Sequence, residues 1–351
     1  MIDEAMDLVE LLQLTEHKLL EFTGRAVDPI QHVVAPYRIC PLGAHIDHQG
    51  GPVLGRTINA HSVLAFSGTD RPVMTLASGN YPGSATISLK DPGAVSHDRW
   101  DRYARGAVYA LARNHQLTRG LVGFVQGTLP GGGLSSSASV GLAYIVALAA
   151  VNDLSLGLPE RVELDRQLEN DYLGLQNGVL DQTTILYGRA ACMLSINTRQ
   201  RSVTVVEDPP AASAFSFVVF YSGFSRELTS TAFNQRVDEC RQAASRLARL
   251  AGLGDKQQLA DIPDSAWRDH GHRLPDPHRQ RAQHFFSEVA RVERGREAWR
   301  DGDMQQFGRL MNESCASSIE SYESGSEEII GLQNIISKTR GVLGSRFSGG
   351  G

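Results

Sequence analysis

The sequence lacks the features that would place it in a membrane or in an oxidising compartment. No apolar run approaches the roughly 20 residues that a membrane-spanning helix needs. The acidic start, MIDEAMDLVE, has no basic segment followed by an apolar one, so no secretory signal is predicted. Cys40, Cys192, Cys240 and Cys315 are far apart and form no Cys-x-x-Cys pair, which argues against a zinc site or a disulfide framework. We therefore expect a cytoplasmic protein without a membrane partner.

Basic charge is also scarce. The chain has 34 Lys and Arg against 39 Asp and Glu, a net charge of −5, and no strongly basic stretch. Binding to a phosphate backbone depends on a cationic surface, so a nucleic-acid partner is not expected. The composition is that of an ordinary globular protein, and 351 residues suffice for one large or two medium domains. A monomer and a small homo-oligomer are both compatible with these numbers.

Hydrophobic periodicity and turn signals predict an α+β fold. Strands are predicted near residues 32–39, 53–67, 72–78, 84–90, 121–129, 190–206 and 215–222. Helices are predicted over residues 3–24, 100–114, 135–151 and 160–176, and the rest is expected to be mostly helical. Because strands and helices do not alternate as βαβ units, the order argues against a doubly wound sheet.

The segment 129–138 (LPGGGLSSSA) is a glycine-rich loop between a predicted strand and a predicted helix. Glycines let the backbone approach a ligand closely. The serines fall at the helix start, where free N–H groups and the helix dipole favour an anion and where hydroxyls can ligate Mg²⁺. The alternative interpretation is a plain helix cap after a glycine turn. The loop lacks the Lys-Ser/Thr pair of a P-loop, and Ser136 stands where a dinucleotide fingerprint needs its third glycine.

This loop resembles the phosphate loop of GHMP kinases, P-x-G-x-G-L-S-S-S-A, although Pro130 lies one residue nearer to the serines than in most members. Other segments resemble galactokinases in the same order along the chain. They are 35–51 (APYRICPLGAHIDHQGG, similar to APGRVNLIGEHTDYNDG), 100–107 (WDRYARGA), 168–182 (LENDYLGLQNGVLDQ, similar to AEHEFVGVPCGIMDQ), 233–240, 310–314 and 344–351 (GSRFSGGG). The sequence is therefore identified as a member of the galactokinase branch of the GHMP kinase superfamily.

The resemblance implies a fold and a domain organisation. The expected architecture is the two-lobed GHMP kinase fold, with a ribosomal-protein-S5-like N-terminal lobe, a ferredoxin-like C-terminal lobe and the active site between them. We expect residues 1–200 to form the first lobe and residues 201–351 the second. Family members continue past the final GGG through another strand and helix, so the second lobe is expected to be truncated after this motif.

The resemblance also implies roles for individual residues, with ATP and Mg²⁺ as cofactors. The residues expected to bind ATP are Trp100, Gly131, Gly132, Gly133, Leu134, Ser135, Ser136 and Ser137, and those expected to hold Mg²⁺ are Ser137 and Glu169. The residues expected to bind the sugar are Ala44, His45, Asp47, His48 and Asp181, and those expected to carry catalysis are Asp181 and Arg38. Taken singly, Glu169 could be a solvated helix residue, Asp181 a helix cap and Trp100 a core aromatic.

The segment 43–51, which we call the sugar loop, departs from galactokinases at two acidic positions. Ala44 replaces the glutamate that contacts the hydroxyl on carbon 6 in that family, Gly50 replaces an aspartate, and Asp47 is retained. A glutamate would repel a carboxylate at about 4 Å by roughly 1–4 kcal/mol, so its loss favours a uronic acid. The segment 36–51 also looks more like plant-type galacturonokinases, which predicts galacturonate as the substrate.

Alternatives stay open at this point. The nearest is a kinase for galactose, and one from another class is a non-catalytic sensor of sugar and ATP. A mevalonate or homoserine kinase fits less well, because the Arg-x-x-x-x-Gly-x-His-x-Asp pattern beginning at Arg38 resembles a sugar loop. His48 is a candidate partner for the substrate carboxylate, although a histidine in a loop is more often simply solvated.

Overall fold

In the computed structural model of the chain, the structure describes residues 7–129, 133–223 and 230–349. The α+β class predicted from the sequence is confirmed by the order of elements. The chain divides into two compact units. Unit 1 comprises Met1–Tyr37, Ile58–Gly131 and Ser135–Leu175, and unit 2 comprises Arg38–Thr57, Gly132–Leu134 and Gln176–Gly351. The lobe boundary expected at residue 200 stays a prediction.

The strands pair mostly in antiparallel fashion. They are β1 (Gln31–Leu42), β2 (Pro52–Thr69), β3 (Val73–Ser78), β4 (Ser84–Ser88), β5 (Gly120–Gly127), β6 (Cys192–Asn197) and β7 (Ser202–Glu207). Within unit 1 the order is β4-β3-β5-β2, with β3 parallel to β5, and within unit 2 it is β2-β6-β7. β2 is long and pairs with different strands along its length: Ser62–Thr69 pairs with β5, and Pro52–Gly55 pairs with β6. β1 pairs with β2.

Among the described residues, four α-helices belong to unit 1. They are α1 (Leu8–Thr23), α2 (Arg102–Ala112), α3 (Ser136–Val151) and α4 (Leu158–Gln167). A capping box between Asp7 and Glu10 starts α1, since each side chain accepts the other residue's backbone N–H. The sequence of α3 is apolar on nearly every face, which suits a helix that is buried almost all round. One π-helical turn, Leu168–Tyr172, follows α4 directly.

Unit 2 is mainly helical beyond its strands. Its helices are α5 (Leu180–Tyr187), α6 (Ser230–Leu250), α7 (Asp264–His270), α8 (His278–Arg300), α9 (Met304–Glu320) and α10 (Glu327–Ser337). One core cluster joins α6 and α8 to the inner residues of β6, and it includes Ala44 of the sugar loop. A second cluster surrounds Leu42 and Trp299. Gly295 lets α8 approach β1, because a Cβ at this position would lie 2.1 Å from Leu42 Cδ1.

The strand predicted at residues 215–222 is wrong. Within the described part of the chain this segment pairs with no strand, and its apolar side chains are largely exposed, from 45% at Phe215 to 67% at Val218. The prediction rested on β-branched and aromatic residues, which fit a pleated surface but do not supply a partner. Strand pairing depends on segments that are distant in sequence, so the local composition predicted a strand that this segment does not form.

All four cysteines are buried free thiols. Burial raises the pKa of the Cys40 and Cys240 thiols to about 12 in each case. No helix in the described ranges is long and apolar enough to cross a membrane.

Candidate active site

The sugar loop takes a backbone conformation that few residues tolerate. Gly43 has φ 95°, and a Cβ there would lie 2.6 Å from the Cα of Val53, so the position requires glycine. His45 has φ 63°, in the left-handed region that costs a non-glycine residue about 1–2 kcal/mol. A single 3₁₀ turn, Asp47–Gln49, completes the loop and ends at Gly50 with φ 77°. Surrounding contacts must therefore maintain this shape.

His45 is buried against residues that follow α9. Its ring stacks on Tyr322 with 4.5 Å between ring centroids and an interplanar angle of 8°, and its Nε2 lies 3.3 Å from Ser324 Oγ. Burial lowers the pKa of His45 well below its usual value. His45 is therefore neutral near pH 7, so it can hydrogen-bond a hydroxyl without adding charge.

The hydrogen-bond partners of His48 determine which of its nitrogens carries the proton. The backbone N–H of Leu259 donates to Gln49 Oε1 (3.2 Å), so Gln49 Nε2 is the donor to His48 Nδ1 (3.1 Å). His48 Nε2 then holds the proton and donates to Tyr322 Oη (3.0 Å). Burial lowers the pKa of His48 to about 3. Because both nitrogens have partners and the ring is neutral, this geometry does not favour His48 as the partner of a carboxylate, and that role stays a prediction.

Asp47 lies close to the start of α5. Its Oδ2 accepts the backbone N–H of Leu180 (3.2 Å), and a Cβ at Gly178 would lie 2.3 Å from the same oxygen. Burial, followed by the neighbouring charge of Asp181, raises the pKa of Asp47 to about 6. The fold thus brings together two carboxylates that are 134 residues apart in sequence.

Arg38 connects Asp181 to the phosphate loop within unit 2. Its Nε and Nη2 both lie 2.7 Å from Asp181 Oδ1, and its Nη1 donates to the carbonyl oxygen of Gly133 (3.1 Å). Ser348 Oγ donates to the same carbonyl (2.6 Å), and Leu134 accepts the backbone N–H of Arg38 (3.1 Å). The final glycine-rich segment therefore supports the phosphate loop, as the resemblance implies.

The phosphate loop is described from Gly133 onward, so Gly131 and Gly132 lie outside the described residues. Gly133 and Ser135 are both left-handed, with φ 70° and 58°, and α3 begins at the next residue, Ser136. Ser135 makes no side-chain capping hydrogen bond to α3. A plain helix cap stays the alternative interpretation of these serines.

Tyr103 in unit 1 lies beside both residues predicted to hold Mg²⁺. Its hydroxyl interacts with the Ser137 side chain, and the charge of Glu169 acts on it, while burial raises its pKa. Glu169 is buried on the π-helical turn, a kind of distortion that is frequent at functional sites. The described residues contain no group of three or more His, Cys, Asp and Glu side chains suited to a metal. A carboxylate and a hydroxyl fit Mg²⁺ that takes its other ligands from phosphates and water.

Trp100, predicted to contact the nucleotide, packs parallel to Tyr81 with 6.5 Å between ring centroids. Tyr81 carries no motif in the sequence, where it lies in the turn Asn80-Tyr81-Pro82-Gly83. Three residues of unit 2 were also missed: His284 and Glu288 on α8, and Tyr322 after α9. For His284 and Glu288 the only signal was a polar side chain on a buried helix face, and Tyr322 lies outside the helices in a segment that no motif marks.

The chain is similar to known proteins in both sequence and structure. Residues 102–189 match the family described as GHMP kinases N terminal domain. The chain is 38% identical to a galacturonokinase of Arabidopsis thaliana, over 97% of this chain and 85% of that protein. It is 34% identical to a galactokinase of Roseiflexus sp. (strain RS-1), over 91% of this chain and 81% of that protein.

Among solved structures, the chain resembles Lactococcus lactis galactokinase complexed with galactose. The TM-score is 0.86 at 27% identity, covering 97% of this chain and 87% of that one. In this chain, a glycine-serine loop, an Arg–Asp pair and a histidine-containing loop thus accompany a structural match over 97% of its length. The chain belongs to the GHMP kinase family, in the branch that contains galactokinases and galacturonokinases.

Proposed function

We propose that this protein is a sugar-1-kinase that transfers the γ-phosphoryl group of ATP to the anomeric hydroxyl of D-galacturonate. The product would be galacturonate 1-phosphate and ADP. The same proposal includes a cytoplasmic location, which the four unpaired cysteines support. It needs only a small-molecule sugar as partner, and a monomer or a small homo-oligomer would serve equally.

Ala44 carries the choice of galacturonate. The residue is 7% exposed, packs in the apolar core of unit 2, and its carbonyl oxygen lies 2.9 Å from His284 Nε2. A galactokinase-like glutamate would place a negative charge at this position of the loop. Without that charge, a substrate carboxylate avoids a like-charge contact worth roughly 1–4 kcal/mol. The 38% identity to a galacturonokinase supports the same choice.

Within unit 2, Arg38, Asp47 and Asp181 form the reaction centre of this proposal. His45 and Asp47 bind ring hydroxyls and orient the sugar. Asp181 accepts the proton of the anomeric hydroxyl as its oxygen forms the new bond to phosphorus and the bond to the ADP oxygen breaks. Arg38 donates hydrogen bonds to Asp181 and to the carbonyl oxygen of Gly133. From this position it stabilises the charge that develops on the phosphoryl group. The bond between the sugar's carbon 1 and its oxygen stays intact, so the anomeric configuration is retained.

The phosphate loop and α3 supply the nucleotide site. We propose that residues 131–137 hold the triphosphate at the start of α3, where backbone N–H groups and the helix dipole favour an anion. Trp100 lies against the nucleotide. Ser137 and Glu169 would hold Mg²⁺, which supplies positive charge that neutralises the phosphates when it is bound. The interaction of the Tyr103 hydroxyl with the Ser137 side chain and with the charge of Glu169 supports this pairing.

The direct test is ADP release with Mg-ATP and galacturonate, galactose or glucuronate at matched concentrations. We expect turnover mainly with galacturonate. Turnover mainly with galactose would keep the kinase assignment and refute the substrate, an outcome that the similarity to the galactose-bound Lactococcus lactis structure makes worth measuring. ATP binding without turnover on any sugar would refute catalysis and favour a sensor.

A further inference from the structure

Helix α8 contacts the sugar loop through two polar side chains that are completely buried. Glu288 Oε1 accepts the backbone N–H of Gly43 at 2.7 Å, and His284 Nε2 lies 2.9 Å from the carbonyl oxygen of Ala44. Both side chains are 0% exposed. They are four residues apart, so they project from the same face of α8. One helix thus holds the main chain of two consecutive loop residues.

The direction of the His284 hydrogen bond is determined by its partners. A carbonyl oxygen can only accept, so His284 Nε2 carries the proton and donates to Ala44. Its Nδ1 is therefore an acceptor, and Ser317 Oγ donates to it at 2.9 Å. Burial lowers the pKa of His284, which keeps the ring neutral and in this one tautomer.

Glu288 is held as a carboxylate by neighbours on α8, on α9 and in the segment that follows α10. Its Oε2 accepts from Arg291 Nε at 2.6 Å, its Oε1 accepts from Ser314 Oγ at 2.5 Å, and Arg346 Nη1 lies 4.0 Å away. Burial alone would raise the pKa of Glu288, but the positive charges around it lower the pKa below its usual value. The N–H of Gly43 is therefore bound by an ionised acceptor, the stronger kind of hydrogen bond.

Stability alone gives little reason for such an arrangement. Replacing a buried ionic network by apolar residues is often neutral or stabilising. The two contacts instead lie where the chain needs them, on the residues immediately before His45 and its left-handed backbone. Holding an unfavourable backbone conformation in place is a recurrent feature of functional sites.

We propose that His284 and Glu288 are positioning residues for the sugar: by fixing the backbone of Gly43 and Ala44, they keep His45 and Asp47 in their binding geometry. This inference rests on the proposed function, because it assumes that the loop binds the sugar. It assigns a specific part of substrate binding to a helix that no sequence motif marks. Neither residue touches the reacting atoms, so their effect is on the affinity for the sugar.

The test compares three variants by steady-state kinetics with galacturonate and ATP varied separately. His284→Leu removes the donor to Ala44, and we expect the KM for the sugar to rise about tenfold, the effect of losing about 1.4 kcal/mol. The KM for ATP should stay within about twofold. His284→Gln keeps an N–H donor of similar reach and should recover most of the affinity. His278→Leu, the same change at another buried histidine of α8, is the matched control and should leave both KM values unchanged.

A purely structural role predicts a different pattern. It would lower the concentration of folded enzyme, and hence the apparent kcat, while the KM for the sugar stays the same in every variant. That result would overturn the proposal. Should His284→Leu fail to fold, Ser317→Ala provides the second variant, since it removes only the donor to His284 Nδ1. An unchanged KM for the sugar in Ser317→Ala, although the ring ¹⁵N spectrum shows that His284 has left the Nε2-protonated tautomer, would also overturn it.

The spectrum and the exchange of the Gly43 amide proton separate this inference from the proposed function. Neither measurement needs a substrate. A protected Gly43 N–H that exchanges faster in Glu288→Ala supports the contact with α8 even if galacturonate proves to be the wrong sugar. In that case the kinetic comparison is made with the sugar that the wild-type protein does phosphorylate.

Discussion

Arg38 directs two of its N–H groups to one oxygen of Asp181: Nε and Nη2 each lie 2.7 Å from Oδ1. The same guanidinium donates through Nη1 to the carbonyl oxygen of Gly133. A planar side chain with donors in a fixed fork can make these contacts together, whereas a lysine offers a single charged centre. Arg38 therefore ties the predicted base to the phosphate loop, and this predicts how each residue responds to substitution.

Asp181→Asn removes the proton acceptor but keeps the shape of the side chain. We expect kcat to fall by about 10²–10⁴-fold, the usual contribution of a general base. The midpoint of thermal unfolding should change little. Steady-state ADP release and a thermal melt provide the two values. Near-normal turnover would remove Asp181 from the reaction.

Arg38→Lys retains the positive charge and removes the fork. We expect kcat to fall by about 10²–10³-fold, since charge alone cannot bridge Asp181 and Gly133. Arg38→Ala should be at least as severe and should also raise the KM for ATP, because the carbonyl oxygen of Gly133 loses the hydrogen bond from Arg38 and keeps only that from Ser348. A lysine variant with wild-type kcat would show that charge, and not geometry, is what Arg38 contributes.

Asp47 should make sugar binding dependent on pH. Its pKa is raised to about 6, so it loses its charge as the pH falls below that value, and we expect the KM for the sugar to rise between pH 7 and pH 5. In Asp47→Asn this change with pH should be absent and the KM should be high throughout. A wild-type KM that is flat across this range would contradict the prediction.

The same substitution should change stability in the opposite sense. An acid whose pKa is higher in the folded than in the unfolded state binds its proton more tightly when folded, so its ionised form destabilises the fold above that pKa. Asp47→Asn should therefore raise the free energy of unfolding at pH 7, by on the order of 1–3 kcal/mol. The gain should shrink as the pH falls from about 6 toward the unfolded value. Urea titrations at pH 7 and pH 4.5 measure the difference.

Ala44→Glu tests the basis of substrate choice. We expect kcat/KM for galacturonate to fall about tenfold to thousandfold more than kcat/KM for galactose, because only galacturonate brings a second negative charge. Ala44→Gln has nearly the same volume without the charge, so it reports the steric cost of filling this buried position and should affect both sugars alike. Equal losses for both sugars in Ala44→Glu would remove the electrostatic argument.

The fold was predictable where hydrophobic periodicity is local and strong. The apolar run after the phosphate loop predicted a helix over 135–151, and the structure has α3 at Ser136–Val151. The helix predicted over 160–176 proved to be α4 followed by a π-helical turn. The sequence did not predict the change, because a single wider turn does not alter an amphipathic pattern enough to be recognised. The strand predicted at 215–222 failed for a related reason, since pairing depends on a partner elsewhere in the chain.

The site was predictable only as far as motifs reach. Arg38 and Asp181 were selected by resemblance, and the structure brings them into contact although 143 residues separate them. His284, Glu288 and Tyr322 were not selected, because each is a single polar residue whose importance comes from what folds against it. The tautomer of a histidine likewise cannot be predicted from the sequence. That of His48 follows from the hydrogen-bond partners of Gln49, which only the coordinates reveal.

The four buried cysteines give the protein an internal reporter of its own unfolding. A thiol that is shielded and protonated in the native state reacts with an alkylating reagent only when the surrounding structure opens. Cys40 lies on β1 next to the sugar loop, Cys240 on α6 and Cys315 on α9, so the order in which they are labelled would follow the opening of separate elements. Ligand protection could then be measured cysteine by cysteine without introducing a probe.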